Sequence, residues 1–479
     1  MTAKLKAHPA YKDSGLSWLD RVPEHWEVRR NGRLFTQRKE TGFADLPVLE
    51  VSLRTGVRVR KFDAAARKQM MSDRSKYKRA AKGDIAYNMM RMWQGAVGVA
   101  PEDGLVSPAY VVASPLDGMH ARYFSELFRT SAYMGEVDAH SHGIVKDRNR
   151  LYWEDFKQIF SLYPPPAEQQ AIVRFLDHLD RRVGRYIRAK QRLIKLLDEQ
   201  KQAVVHHAVT HGLNPNVRRK PSGTKWLEDV PEHWEIIRLK YLITSIEQGW
   251  SPQCDAQPAG LDEWGVLKVG CVNRDYFDAT QNKKLPVTLS PVPALEVCNG
   301  DILVSRANTR ELLGLATVVQ DVRPRLLLCD KLFRFRPRMQ RACDQFLVAL
   351  LRDKSCREQI ETSTNGASDS MQNIGQGVIK NLWIAMPPLA EQCQIVEAIE
   401  KETSSLTGAA IRARREIELL REYRTSVITD VVTGKLDVRE AAANLPDDLE
   451  ELDEMPLLDE ALEEDDGELT SDELPEEVG

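Results

Sequence analysis

The 479-residue chain carries 67 Lys and Arg against 71 Asp and Glu, a formal charge of −4, with 42% hydrophobic and 29% charged residues. This composition fits soluble globular domains, about three by length, and the lack of any apolar run of about 18 residues excludes a membrane-spanning helix. The balance is uneven: 17 acids lie between Pro446 and Gly479, where no Lys or Arg occurs, and without them 67 cations face 54 acids, +13 on the remaining 445 residues. A basic body makes nucleic acid the first partner to consider, and the tail's composition predicts disorder.

The polar start, Met1 to Tyr11, has no apolar signal core and predicts a cytoplasmic chain. All seven cysteines lie at or after Cys254 without a CxxC, which predicts reduced thiols and no zinc site of the usual spacing. His207 and His211 stand four apart, but no third ligand of matching spacing accompanies them, so they read as a helix end and no metal site is expected.

Along the chain the sequence repeats itself. Ser14-Gly15, Trp18-Leu19 and Val22-Pro23-Glu24-His25-Trp26-Glu27 return as Ser222-Gly223, Trp226-Leu227 and Val230-Pro231-Glu232-His233-Trp234-Glu235, an offset of 208. Gly83-Asp84-Ile85 returns as Gly300-Asp301-Ile302 at 217, and Pro164-Pro165-Pro166-Ala167-Glu168-Gln169 as Pro387-Pro388-Leu389-Ala390-Glu391-Gln392 at 223. A period near 220 residues is too long for a solenoid and marks a tandem pair of modules. Within each copy, short apolar runs (47–53, 84–87, 110–113; 265–269, 301–304, 326–328) between Gly, Pro and Asn turns predict a strand-rich α+β module.

In the first copy, Arg54 to Lys82 carries eleven cations against two acids. Among them Arg58, Arg60, Lys61, Lys76, Lys78 and Arg79 are candidates for phosphate contacts, as are the seven cations between Arg323 and Arg341 in the second copy. Polar, Gly-flanked segments offer candidates for base edges: Asn88, Arg91, Trp93 and Gln94; Lys146, Arg148 and Asn149; Arg306, Asn308 and Arg310; and Asn365, Ser368 and Gln372. No phosphate loop, HExxH, GxSxG or GxGxxG motif occurs, and Asp155-Phe156-Lys157 matches the D-x-K form of some nucleases at a length that chance supplies. No catalytic residue is therefore assigned.

Each Pro-Pro-x-Ala-Glu-Gln opens a helical pattern. Ile172, Leu176, Leu179, Val183, Tyr186, Leu193, Leu197 and Val204 form the first stripe, and Ile395, Ile399, Leu406, Leu420, Tyr423 and Val427 the second. Prolines before each start, Glu168 or Glu391 in the first turn, and Gly212 or Gly434 at the end bound helices of about 45 residues, roughly 67 Å long. One apolar stripe on so long a helix calls for a partner, so the two are expected to pair as a coiled coil; the alternative is that each packs on its own module.

These motifs, in this order and duplicated, resemble the specificity subunit of a Type I restriction–modification system over almost all of residues 10–437. The stretch from Asn88-Met89-Met90-Arg91 to Gly95, with Ser107-Pro108-Ala109-Tyr110, is similar to one class of that family's target-recognition domains. The resemblance implies two such domains (1–165 and 213–388) and two long antiparallel helices with pseudo-twofold symmetry (166–212 and 389–437); the acidic tail (438–479) falls outside the repeat, and the family offers no role for it. It implies a non-catalytic subunit in which each domain reads one half of a bipartite double-stranded DNA target. The helices would set the spacer and dock two methyltransferase subunits, for which Glu168, Gln169, Gln170, Glu391 and Gln392 are candidates. Restriction/translocase subunits would join that core. S-adenosylmethionine, ATP and Mg2+ would belong to these partners, with no cofactor on this chain. A methylation-only or other multisubunit system without a separate motor is the alternative. Ser305-Arg306-Ala307-Asn308 stands where the first copy has its Asn-Met-Met-Arg, so the two half-sites should differ. An enzyme with an unrecognised motif and a pure scaffold are the rival classes.

Overall fold

Both repeats build the same four-stranded antiparallel sheet from their short apolar runs. In the first it comprises β1 (Phe35–Arg38), β2 (Ile85–Asn88), β3 (Val97–Val99) and β4 (Tyr110–Pro115), in the order β1-β4-β2-β3. A loop-helix segment follows, α1 (Ala121–Phe128) and α2 (Ser131–Ala139), and then the long helix α3 (Pro166–His211). The second repeat has β5 (Glu247–Gln248), β6 (Ile302–Ser305), β7 (Ala316–Val318) and β8 (Leu332–Phe335), in the order β5-β8-β6-β7. It continues with α4 (Asp344–Arg352), α5 (Lys354–Glu361) and the long helix α6 (Leu389–Val432). Strand order is thus duplicated along with sequence. So is the cap of the second short helix, where Thr130 accepts from Tyr133 N and Asp353 from Ser355 N.

The computed structural model describes residues 5–60, 74–143, 149–254, 257–273, 276–364 and 372–446. It comprises two units, Met1–Arg192 with Arg414–Gly479, and Leu193–Ala413. Lys61, Lys146, Arg148, Asn365, Ser368 and the acidic residues from Asp447 onward lie outside the described residues.

The repeated motifs have local physical causes. Gly83 and Gly300 adopt φ of +90° and +84°, a left-handed turn that favours glycine. The next residue, Asp84 or Asp301, is buried and caps its own turn by accepting from Ala81 N or Cys298 N, each at 2.9 Å. An arginine neutralises each carboxylate: Arg38 Nε at 2.6 Å from Asp84, and Arg336 Nε at 2.5 Å from Asp301. The arginines come from different places, β1 in the first module and the residue after β8 in the second. Ile85 and Ile302 then enter the core fully buried.

The distant motifs Val-Pro-Glu-His-Trp and Ala-Glu-Gln meet in space. Trp26 Nε1 donates to Glu168 Oε1 at 3.0 Å and His25 Nε2 lies 2.7 Å from Oε2. In the second unit Trp234 Nε1 donates to Glu391 Oε1 at 3.1 Å and His233 Nε2 lies 2.8 Å from Oε2. Gln169 accepts from His120 N and donates to Pro164 O; Gln392 accepts from Cys343 N and donates to Pro387 O. These bonds clamp the start of each long helix to its own module. Each unit also receives the end of the other long helix. A Cβ on Gly434 would meet Pro23 and Trp26, and one on Gly212 would meet Trp234, so glycine is needed there for space and for its positive φ.

Within each unit the long helices run antiparallel. In the first, Asp180 pairs with Arg424 (2.7 Å) and Lys190 with Glu416 (2.5 Å). In the second, Ala208 and Val209 share a core with Ile395, against which Val205 and Ile399 pack. The seam differs from the expected stripes at three positions: Tyr186, Leu193 and Tyr423 are exposed, and in place of Tyr186 its neighbour Ile187 is fully buried. An α-helix drifts from a strict 3.5-residue repeat, which moves the buried position by one residue here. Residues 438–446, grouped with the tail above, are part of the folded structure. Val438 and Ala442 are buried, a short helix spans Arg439–Ala443, and Lys6 forms a β-bridge with Asp437. Among the described residues, no helix is long and apolar enough to cross a membrane.

Candidate nucleic-acid interface

In both modules the polar loop leaving the central strand is brought beside the segment that precedes the module's last strand. After β2, Asn88 Oδ1 accepts from Met90 N (2.9 Å) and Trp93 Nε1 donates to Met90 O (2.9 Å), which shapes the loop carrying Arg91 and exposed Gln94. Leu151 N reaches back to Met89 O (2.9 Å), and Asn149 Nδ2 donates to Asp138. After β6, Ala307–Asn308 pairs with Gln372–Asn373, placing Asn308 opposite Gln372, and Ile374 N donates to Arg306 O (3.0 Å). Segments some 60 residues apart in sequence thus form one polar surface in each module.

The basic segment of the first module joins this surface in part. Tyr110, paired with Asn88 across β4 and β2, is held above the ordinary phenol range by burial and by Glu50, with Arg60 and Arg91 opposing. Arg58 pairs with Glu50 (2.5 Å), and Arg79 with Asp103 (2.6 Å) and Glu40 (2.9 Å). Lys76 is exposed. Tyr152, 45% exposed directly after Leu151, adds an aromatic face beside the loop that its sequence context does not single out.

Several expected contacts prove to be internal. Lys78 Nζ donates to Pro108 O and Tyr110 O, both at 2.7 Å, and burial lowers its pKa, so it anchors a loop rather than meeting phosphate. Several arginines of the second module's cation run are paired within it, while Lys331 is exposed. Arg323 donates to Ala259 O and Glu263 O, Arg334 pairs with Glu247, Arg338 donates to Ile243 O, and Arg341 pairs with Glu235. Carbonyls and carboxylates satisfy guanidinium as well as phosphate does, and cation density alone cannot tell them apart. Arg306 Nη1 donates to Asp330 O (3.3 Å) while Arg310 stays 64% exposed beside Glu361. Of the residues considered for partner contacts, Glu168, Gln169 and Gln392 are buried in the clamps, Glu391 is half-buried in its clamp, and Gln170 is exposed.

No family model matches the chain. It is 33% identical over 173 residues to the Type I restriction enzyme EcoEI specificity subunit of Escherichia coli, covering 36% of this chain and 29% of that protein. It is 22% identical over 326 residues to the EcoKI specificity subunit of Escherichia coli K12, covering 67% of each. The chain thus matches less than a third of the first relative and about two thirds of the second. A chain from a solved structure of type I R-M complex assembly and conformational transition superposes with a TM-score of 0.58 at 14% identity, over 87% of this chain and 99% of that one, a likeness of fold. In sequence the chain is similar to specificity subunits of Type I restriction enzymes, and in fold to a chain of a type I R-M system.

Proposed function

We propose that the chain is the non-catalytic DNA-recognition subunit of a Type I restriction–modification complex, each module reading one half of an asymmetric bipartite target. The observation that carries this is the same polar surface, after β2 and after β6, built on duplicated frames with different residues: Asn88, Arg91 and Gln94 in one, Arg306, Asn308 and Gln372 in the other. Arginine suits guanine and amides suit adenine, so unlike sets read unlike sequences. Adenine methylation with S-adenosylmethionine, and cleavage with ATP and Mg2+, would reside in partner subunits.

The paired helices would set the spacer and dock two methyltransferase subunits. With Gln169 and Gln392 buried, the exposed apolar side chains Tyr186, Leu419 and Tyr423 in the first unit and Leu193, Leu196 and Ile411 in the second support this role. Replacing Tyr186 and Leu419 by Asp should abolish assembly with the methyltransferase; unchanged assembly refutes the docking face. The reading as a whole is tested by mapping methylated adenines in DNA exposed to the assembled complex. A bipartite, asymmetric motif is expected. A contiguous or palindromic motif, or methylation by the purified chain alone, overturns it.

A further inference from the structure

The first unit gathers two imidazoles and a carboxylate around one point. His8 Nε2 lies 3.9 Å from Glu168 Oε1, His25 Nε2 lies 2.7 Å from Glu168 Oε2, and the three ligand atoms all fall within 4.8 Å of one another. They come from the N-terminal segment, the turn before Trp26 and the first turn of α3. His8 is 5% exposed, and its Nδ1 is buried with no hydrogen-bond partner. An unmet buried polar group costs about 1–3 kcal/mol, so its persistence asks for a cause.

The surroundings suit a cation. Trp26 holds one oxygen of Glu168 and leaves the other towards His25. His8 Nδ1 faces Asp437 Oδ2 at 3.9 Å, and Arg439 fixes that carboxylate through bonds of 3.0 and 2.7 Å. Metal-bound histidines commonly donate their second N–H to a carboxylate, and Asp437 stands close enough to take that place after a small approach. The second unit is a built-in control. It keeps the His233–Glu391–Trp234 clamp, but at the 208-residue offset Asn216 replaces His8 and is exposed. The clamp therefore does not require a third ligand, and His8 is an addition to the first unit alone.

We propose that His8, His25 and Glu168 bind one divalent transition-metal ion of the Zn2+ class, with Asp437 orienting His8. Imidazole and carboxylate ligands suit Zn2+, with bonds of about 2.0–2.2 Å. Ligand atoms in such a tetrahedron stand roughly 3.3 Å apart. The ion would staple the N-terminal segment to the module and to the start of α3. This site does not depend on the DNA-reading role.

Zn2+ titrated into EDTA-treated full-length chain, with bound metal counted by mass spectrometry, should give one tight equivalent and a raised melting temperature. His8→Gln should weaken that equivalent by about 100-fold or more, whereas His207→Gln, at the exposed helical histidine pair, should not. Because His8→Gln could unfold the segment, the unmodified chain provides an independent readout. Zn2+ should protect the exposed His25, but not His233, from diethylpyrocarbonate labelling, and Co2+ should give the intense visible absorption of a four- or five-coordinate ion. Absence of Zn2+ binding, an equivalent retained in folded His8→Gln, or labelling unchanged by Zn2+ overturns the proposal.

Discussion

The first module fills its centre with aromatic rings, while the second packs aliphatic side chains around the same sheet. Phe35, Phe124, Phe128, Tyr133 and Phe156 meet at centroid distances of 4.8–6.2 Å in one. Leu347, Leu351, Ile379, Ile384 and Ile395 surround Phe333, Phe335 and Phe346 in the other. The second module also carries a separate three-stranded sheet with its own core, including the parallel pair Gly265–Leu267 and Leu326–Leu327. The parts that did not diverge are the Trp–Glu–His clamp, the buried turn-capping aspartate and the helix-start glutamine. Duplication has preserved what positions the helices and varied what the modules enclose and display.

That comparison breaks most readily at the clamp tryptophans. Both are fully buried and bonded to a helix-start glutamate. Trp26→Ala and Trp234→Ala should each destabilise the unit concerned by about 3–5 kcal/mol, read by urea denaturation with hydrogen exchange resolving the two units. Trp26 also contacts Tyr123 and His8 edge-on, so its loss should be the larger of the two. A cost below about 1 kcal/mol in either would show that the clamp is not what holds the helix there.

The display surfaces should come apart by half-site. Arg91→Ala should relax recognition of one half of the target and Arg306→Ala the other, each by about 1–3 kcal/mol at the base concerned. Methylation of a library randomised in each half separates the two effects. If either variant altered both halves equally, the modules would not be independent readers. A smaller contrast lies inside the basic segment. Lys76→Ala should weaken DNA binding and lower the salt slope by about one unit. Lys78→Ala should cost about 1–3 kcal/mol of stability, because it leaves the carbonyls of Pro108 and Tyr110 without their donor.

The frame was legible in the sequence because its parts repeat together. Strand runs, helix starts at the double prolines and helix ends at Gly212 and Gly434 are all local signals. The role of Glu168 was hidden by distance, since its partners His25 and Trp26 lie more than 140 residues upstream. The joint recurrence of His-Trp and Ala-Glu-Gln is the signal that links them. The Asp84 and Asp301 ion pairs had no such signal, because their arginines come from non-equivalent positions. Arg323 to Arg341 looked like a phosphate surface because charge density records the donors and not the carbonyls that occupy them.

The smallest effect concerns one helix position. Asp177 on α3 and Glu400 on α6 are equivalent at the 223-residue offset, but Glu400 is exposed and Asp177 is not. Burial raises the Asp177 pKa, with Asp180 adding to it and Arg122 opposing it. A carboxyl whose folded pKa is raised binds its proton more tightly in the native state. Its relative stability is therefore greatest at low pH and falls as pH rises through the folded value. Asp177→Asn should remove that loss and leave the chain equal or more stable, by under about 1 kcal/mol, at neutral pH. Glu400→Gln should change little. Melting temperatures of both variants between pH 4 and 7 check the difference. A destabilising Asp177→Asn would mean that attraction to Arg122 outweighs the burial of its charge.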